Sequence, residues 1–439
     1  LLLGIFVLCC LFLTVHNRKT ADLDLRDRWT FTIETWIEDG YFANAGLWYM
    51  EDAWSQRQRE NKPHLGTLAD EAPEGARFLS RSNGMAFLLP LYFAQRIYYA
   101  FEGETSNLLH VLYGQVLMAL VAALLGLTGA LAVASQGLDR RSSLLLGAFG
   151  AVAYQTHVVN LASYWEVLPQ DGVNVGVAVV ALSLMLEEVW PRTTGSTAAW
   201  LRGLGVLITM ASDPPHGVLY LLGLGLAVGL LRPGLLASLH PLRTVVLPAV
   251  LALGSFLGQL LLIRHVQPNA FLMGSGLLFR TGLDGDRSKY DSYFDGFSQL
   301  FTGFGFPRVA DPGDQTPMIL SFAVGFAALL AVLVASAWSR RLRTSAYLLA
   351  VLLIGYVPFA SVFSQSTAMH PTVYSPLLLQ SLCLAAFTLG PAALMRRLRR
   401  PAVVLFLVVV FGHLLVLGNL RQYATMFPTR AEDRWLKLR

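Results

Sequence analysis

Long apolar runs separated by short polar breaks dominate this chain. They occupy 1–16, 108–134, 142–162, 172–190, 200–212, 217–231, 243–263, 317–338, 345–362, 374–393 and 402–420. A helix crosses the hydrocarbon core of a bilayer in about 20 residues, and in fewer where it is short or buried in protein. The eleven runs therefore predict an all-α integral membrane protein with about eleven transmembrane helices. The runs 200–212 and 217–231 are separated only by "SDPPHG" (212–217). Two adjacent prolines remove backbone donors and break a helix, so the pattern predicts two short spans joined by a tight turn. A further apolar stretch, 85–101, contains Pro90, Gln95 and Arg96, and "FEGETSN" (101–107) follows it without a positive charge. It reads as an interfacial or loop helix rather than a crossing.

Composition agrees with a lipid-facing protein. Charged residues make up 14% of the chain and apolar ones 54%, against about 25% charged in soluble domains. The mean hydropathy is +0.52. The 38 glycines suit helices that approach closely in lipid. Cys9, Cys10 and Cys383 all lie in apolar runs and read as packing residues rather than disulfide or metal ligands. The chain opens on Leu1 inside an apolar run, from which a processed or trimmed N-terminus is expected.

Basic residues supply the orientation. "DRR" (139–141), Arg192, Arg202, Arg232, Arg243, "RRLR" (340–343) and "RRLRR" (396–400) all fall on one side of the eleven spans, which the positive-inside rule makes cytoplasmic. The N-terminus is then inside and the tail 421–439 outside. The opposite face holds loop 17–107, the turns 163–171 and 212–217, loop 264–316 and segment 363–373. Three units follow: a transmembrane module over 1–263, an extracytoplasmic loop over 264–316, and C-terminal helices with a short tail over 317–439. The net charge of +5 forms no basic stripe, and nucleic acid is not an expected partner. Walker A, HExxH, CxxC and GxSxG patterns are absent from the sequence.

Five polar segments carry candidate chemistry, all on the outside face. In "RWTFTIETWIEDGYFANAGLWYMEDAW" (28–54), Glu34, Glu38, Tyr41, Ala45 and Trp48 follow helical spacing, predicting a helix along the membrane. Its adjacent acids Glu38 and Asp39 could act as a general base on an acceptor hydroxyl or hold a divalent ion. By spacing alone, a solvated polar face on an interfacial helix accounts for them more readily. Arg77, Arg81, Ser82 and Asn83 precede an apolar stretch and could bind phosphate or snorkel to headgroups. "NLASYWEVLPQDG" (160–172) offers Tyr164, Glu166 and Asp171 in a short turn. Asp213 and His216 lie at membrane depth, where an ionisable residue defaults to function, although Asp213 could equally cap the following helix. Finally, His370, Tyr374, Pro371 and Pro376 stand where a headgroup would lie, a common place for a purely anchoring tyrosine.

The order of these segments resembles the GT-C superfamily of glycosyltransferases. The similarity runs over roughly 1–393. It rests on one span, a long outside loop with "WIEDGYFANAG", then "NGMAFLLPLYFAQ", "LPQDG" (168–172), "SDPPHG" and "HPTVYSP" (370–376). The chain departs from the pattern at "SDPPHG", where relatives often carry Lys, and at His370, where they carry Lys or Arg. The resemblance implies a polyprenyl-phosphate-linked sugar as donor and a glycan, lipid or protein hydroxyl as acceptor, in a bacterial inner membrane. It implies Asp39, with Glu38 competing, as the base, and inversion at the anomeric carbon. Arg81, His216 and His370 would meet the departing phosphate, Tyr374 would bind substrate, and Glu166 and Asp171 would position the acceptor or a divalent ion. No metal is expected, although the acids leave a divalent cation open. The altered basic positions leave room for a non-catalytic subunit of a larger membrane complex. A transporter or flippase would predict inverted repeats with broken helices at the midplane, and the two halves of the chain show no convincing repeat.

Overall fold

The computed structural model describes residues 4, 31–41, 48–50, 78–80, 86–157, 159–160, 169–231, 242–266, 316–363, 371–398 and 400–426. Among these, the chain is almost wholly helical. The helices are α1 Phe31–Asp39, α2 Leu89–Glu102, α3 Asn107–Ser135, α4 Arg140–Gln155, α5 Pro169–Val189, α6 Pro191–Ser212 and α7 Pro214–Leu231. They continue as α8 Leu247–Val266, α9 Thr316–Trp338, α10 Arg343–Ile354, α11 Val357–Val362, α12 Pro371–Leu384, α13 Gly390–Leu398 and α14 Pro401–Met426. A π-helical turn, Ala385–Leu389, joins α12 to α13, and another, Leu242–Val246, leads into α8. One antiparallel ladder pairs β1 Trp48–Met50 with β2 Phe78–Ser80, with Tyr49 opposite Leu79.

Six segments are long and apolar enough to cross a membrane: Leu108–Ser135, Asp171–Val189, Leu242–Leu261, Ile319–Trp338, Tyr374–Leu398 and Pro401–Leu420. They mark the chain as a membrane protein and match six of the eleven apolar runs. The helical parts of the other described runs, 142–155, 200–212, 217–231 and 345–362, fall short in length or hydropathy. The last is divided at Gly355–Tyr356 into α10 and α11. The run 1–16, Gly4 apart, lies outside the described residues.

The six sort into two shells. Leu108–Ser135, Asp171–Val189 and Tyr374–Leu398 are each 78% buried, whereas Leu242–Leu261 is 17% buried and the other two are 22% buried. The outer three expose large apolar side chains such as Leu261, Leu330 and Phe406. Only a lipid solvent makes so large an apolar surface inexpensive to leave open.

Small residues set the closest contacts of the inner shell. Gly172 and Gly176 on α5 face Ser212, Thr209 and Gly205 on α6; a Cβ on Gly176 would come within 2.7 Å of the Gly205 carbonyl oxygen. Bare backbone is what lets two helices in lipid gain dispersion contact at this range. Between α6 and α7 the chain breaks at Asp213, which is extended. Pro214 and Pro215 open α7, the Asp213 carboxylate accepts from the His216 amide at 3.4 Å, and the Asp213 carbonyl accepts from Gly217 N–H at 2.8 Å. This is an N-cap followed by proline at the first helical position. The two helices read from "SDPPHG" are thus present.

One end of the bundle gathers the arginines. Gln136 Nε2 donates to Ser345 Oγ at 2.8 Å, and Thr344 Oγ1 donates to Glu188 at 3.0 Å. These bonds draw together the C-terminal end of α3, the C-terminal end of α5 and the start of α10. Arg140, Arg141, Arg340, Arg341 and Arg343 are exposed around that end. Asp139 caps α4 there. Hydrogen bonds, first from the Ser142 hydroxyl and then from backbone amides, hold its carboxyl below the usual range. Arg202 corrects the sequence reading. It lies inside α6, 2% exposed and ion-paired to Glu187 at 2.5 Å, so it is not a solvated loop arginine.

Candidate functional site

The end of the bundle away from the arginines is built from the N-termini of α3, α5, α7 and α12 and the C-termini of α4 and α6. Over it sits a small satellite core. Ile33 and Trp36 of α1 pack with Phe87, Leu88, Leu91 and Tyr92, with Tyr41, Leu109 and Tyr113 against them. Trp36 meets Tyr41 edge-on at 5.0 Å and Tyr92 at 6.0 Å. Burial, and secondarily the neighbouring Tyr92, raises the Tyr41 phenol above its ordinary value. Two polar clasps fix α1 and α2 in place. Thr105 Oγ1 donates to Glu34 at 2.7 Å, and Gln95 exchanges two bonds with the Ser106 backbone at 2.7 and 2.8 Å. Within the stretch 85–101, α2 has 14 residues, short of the about 20 that a crossing needs.

α1 is shorter than its spacing predicts. It ends at Asp39 because Gly40 takes a left-handed φ of 91°, a common way to stop a helix. Trp48, expected on the same helix, belongs instead to β1. Glu38 is exposed in the last turn of α1 and Asp39 is its final residue.

Asp171 lies inside α5, in its first turn, and not in the preceding loop. It is 7% exposed, close enough to Tyr113 and Tyr154 to interact electrostatically with both. Tyr113 also donates to the Phe87 carbonyl, so one side chain connects the α1–α2 core to the buried carboxylate. One turn along α5, Gln380 Nε2 from α12 donates to Asn174 Oδ1 and to the Asn174 carbonyl, both at 3.1 Å.

His216 and Tyr374 meet at the same end. The His216 ring is 1% exposed and stacks on Phe359 at 4.2 Å, which in turn stacks on Tyr374 at 4.9 Å. His216 Nε2 is bonded to the Gly355 carbonyl where α10 stops. Of the candidate residues, Asp171, His216 and Tyr374 are thus brought to one end of the bundle, with Glu38 and Asp39 on the helix docked above it. Arg81, Glu166 and His370 lie outside the described residues. Tyr113, Tyr154, Asn174 and Gln380 were not singled out from sequence, although each is a polar position within a helix-forming apolar run, which is the signal that finds such groups.

A buried carboxylate near two phenols, Tyr113 and Tyr154, is suited to hold a hydroxyl-bearing ligand. Among the described residues, no group of three His, Cys, Asp or Glu side chains could hold a metal ion. Comparison of the chain with known protein families, characterised proteins and solved structures finds no match to any of them.

Proposed function

We propose that the chain is a GT-C-like membrane glycosyltransferase of about eleven spans. On this reading it transfers a sugar from a polyprenyl-phosphate donor to an acceptor hydroxyl at the extracytoplasmic face. The observation that carries the reading is Asp171, a buried carboxylate at the end of the bundle away from the Asp139–Arg141 and Arg340–Arg343 turns, coupled through Tyr113 to the helix bearing Glu38 and Asp39.

In the proposed reaction the acceptor O–H loses its proton to the Asp39 carboxylate, with Glu38 as the competing base. The oxygen attacks the anomeric carbon, the carbon–oxygen bond to phosphate breaks with inversion, and the polyprenyl phosphate leaves with that electron pair. The packing of His216 beneath Phe359 leaves Arg81 and His370 as the groups to meet the developing phosphate charge. Asp171 and Glu166 orient the acceptor.

Replacing Asp39 by Asn together with Glu38 by Gln tests the assignment. General-base catalysis contributes about 10²- to 10⁴-fold, so transfer from a polyprenyl-phosphate sugar should fall by that factor while expression and thermal unfolding stay as in the parent. Transfer at the parent's rate would sink it. A second reading, a non-catalytic subunit of a larger membrane complex, is favoured by one observation: His216 and Tyr374 are both spent on packing. It predicts that the chain leaves the membrane bound to a partner and is inactive with or without the two substitutions.

A further inference from the structure

From Thr316 to Met426 the chain contains no Asp or Glu, yet it carries eight arginines, seven of them in the short segments 340–343 and 396–400. The positive-inside rule counts basic residues and is nearly indifferent to acids, so an acid-free stretch is a separate feature. The fold sets the two segments side by side. α9 packs along α14 and against α13, and Asn419 near the end of α14 donates to Ser321 near the start of α9 at 3.1 Å. The two helices are therefore antiparallel. The same number of residues onward, about 26 Å at the helical rise, α9 reaches Trp338 and α14 reaches Ala402. Arg340 and Arg341 thus stand level with the α13–α14 junction. The bond from Thr344 to Glu188 puts this level at the far end of α5 from Asp171, about 26 Å along that helix.

Arg340, Arg341, Arg397 and Arg400 are exposed, and none of them is ion-paired among the described residues. The acids at this end are engaged elsewhere: Asp139 caps α4, Glu187 pairs with Arg202, and Glu188 accepts from Thr344. Directly against the guanidinium groups begins apolar surface. Leu330, Val334 and Trp338, each four residues from the next, form an exposed stripe on α9 that ends at a tryptophan 81% open. Val403, Leu407 and Val410 form another on α14. Tryptophan is the side chain favoured where hydrocarbon meets headgroups. Cations at the head of two open apolar stripes match an amphiphile with an anionic head.

We propose that Arg340 and Arg341 after α9, with Arg397 and Arg400 at the α13–α14 junction, hold the headgroup phosphate of an anionic phospholipid. Its acyl chains lie along the stripes of α9 and α14. The guanidinium fork matches phosphate oxygens in pairs. A choline headgroup would instead bring a fixed cation among four others, so the site selects lipids of net negative charge. The proposal does not rest on the transferase reading.

Native mass spectrometry of the full chain in detergent tests it, with dioleoyl phosphatidylglycerol, dioleoyl phosphatidylcholine and glycerol 3-phosphate as probes. Phosphatidylglycerol should be retained about tenfold or more tightly than phosphatidylcholine, and glycerol 3-phosphate should not be retained at the same concentration. An arginine near an anionic lipid surface is worth about fivefold. Arg340→Gln and Arg400→Gln should each weaken phosphatidylglycerol by about that factor, whereas Arg243→Gln, on the turn before α8, should leave it as in the parent. Thermal unfolding should be unchanged in all three. Equal retention of the two lipids would overturn the proposal. Equal weakening by all three substitutions would also overturn it, because the lipid would then answer to overall charge. Retention of glycerol 3-phosphate as strong as that of the lipid would show a site for free anions instead.

Discussion

Arg202 shows what single residues do in this bundle. Its guanidinium is sunk between α5 and α6 against Glu187, with Tyr347 close enough to interact. Removing one partner of a buried pair leaves the other charged and uncompensated, which costs about 3–5 kcal/mol, whereas replacing both by apolar groups is often neutral. Arg202→Met should therefore lower stability to denaturant by that amount, and Arg202→Met with Glu187→Met should recover most of it. If the double variant is as unstable as the single one, the pair is not the unit of stability here. In sequence, Arg202 stands at the head of the apolar run 200–212 and reads as a loop cation. Asp171, just before the run 172–190, likewise reads as a turn acid. Both lie inside helices for one reason: each helix starts at a proline, Pro191 or Pro169, well ahead of its hydrophobic stretch. Proline at the first helical position was a legible signal that hydropathy alone passes over.

At the scale of elements, backbone contact between α5 and α6 decides how the inner shell packs. Gly176 and Gly205 leave no room for side chains, and overpacking such a contact costs about 1–3 kcal/mol. Gly176→Leu should lower the thermal midpoint clearly, while Gly225→Leu on α7, whose Cβ would meet nothing within 4 Å, should leave it near the parent's. Equal effects would mean that the loss is one of helix or lipid compatibility rather than packing. Periodicity carried most elements correctly, including the two helices either side of "SDPPHG" and a short helix, α2, within the stretch that begins at 85. It failed after Gly40, where the spacing continues to Trp48 but a left-handed glycine turns the chain toward a β-ladder. The nearness of Asp171 to Tyr113 and to Tyr154 was illegible for a different reason: it joins α3, α4 and α5, and a one-dimensional pattern does not say which helices touch.

For the whole molecule, one hydrogen bond constrains how often the chain crosses the membrane. Gln136 at the end of α3 touches Ser345 at the start of α10, so both stand at one face and the chain between them must cross an even number of times. Among the described residues, three long apolar helices lie in that interval, Asp171–Val189, Leu242–Leu261 and Ile319–Trp338. An odd number of further crossings is required, and α4, α6 and α7 are the helices available among the described residues. Each is short or polar; α4 and α6 pack against the inner shell and α7 against α6 and α10, where the bilayer's length requirement relaxes because protein replaces lipid. If all three cross, the exposed arginines at Arg141 and Arg341 share a face, which the positive-inside rule makes cytoplasmic, and Glu104, one crossing before Arg141, faces outward. Single cysteines at these three positions, in a chain whose own cysteines are replaced by alanine, test the count. A membrane-impermeant maleimide applied to intact cells should label Glu104→Cys, and should reach Arg141→Cys and Arg341→Cys only after the membrane is opened. Labelling of Arg141→Cys and Arg341→Cys from opposite faces would mean that only the long helices cross, and with that the eleven-span arrangement on which the transferase reading rests would fall.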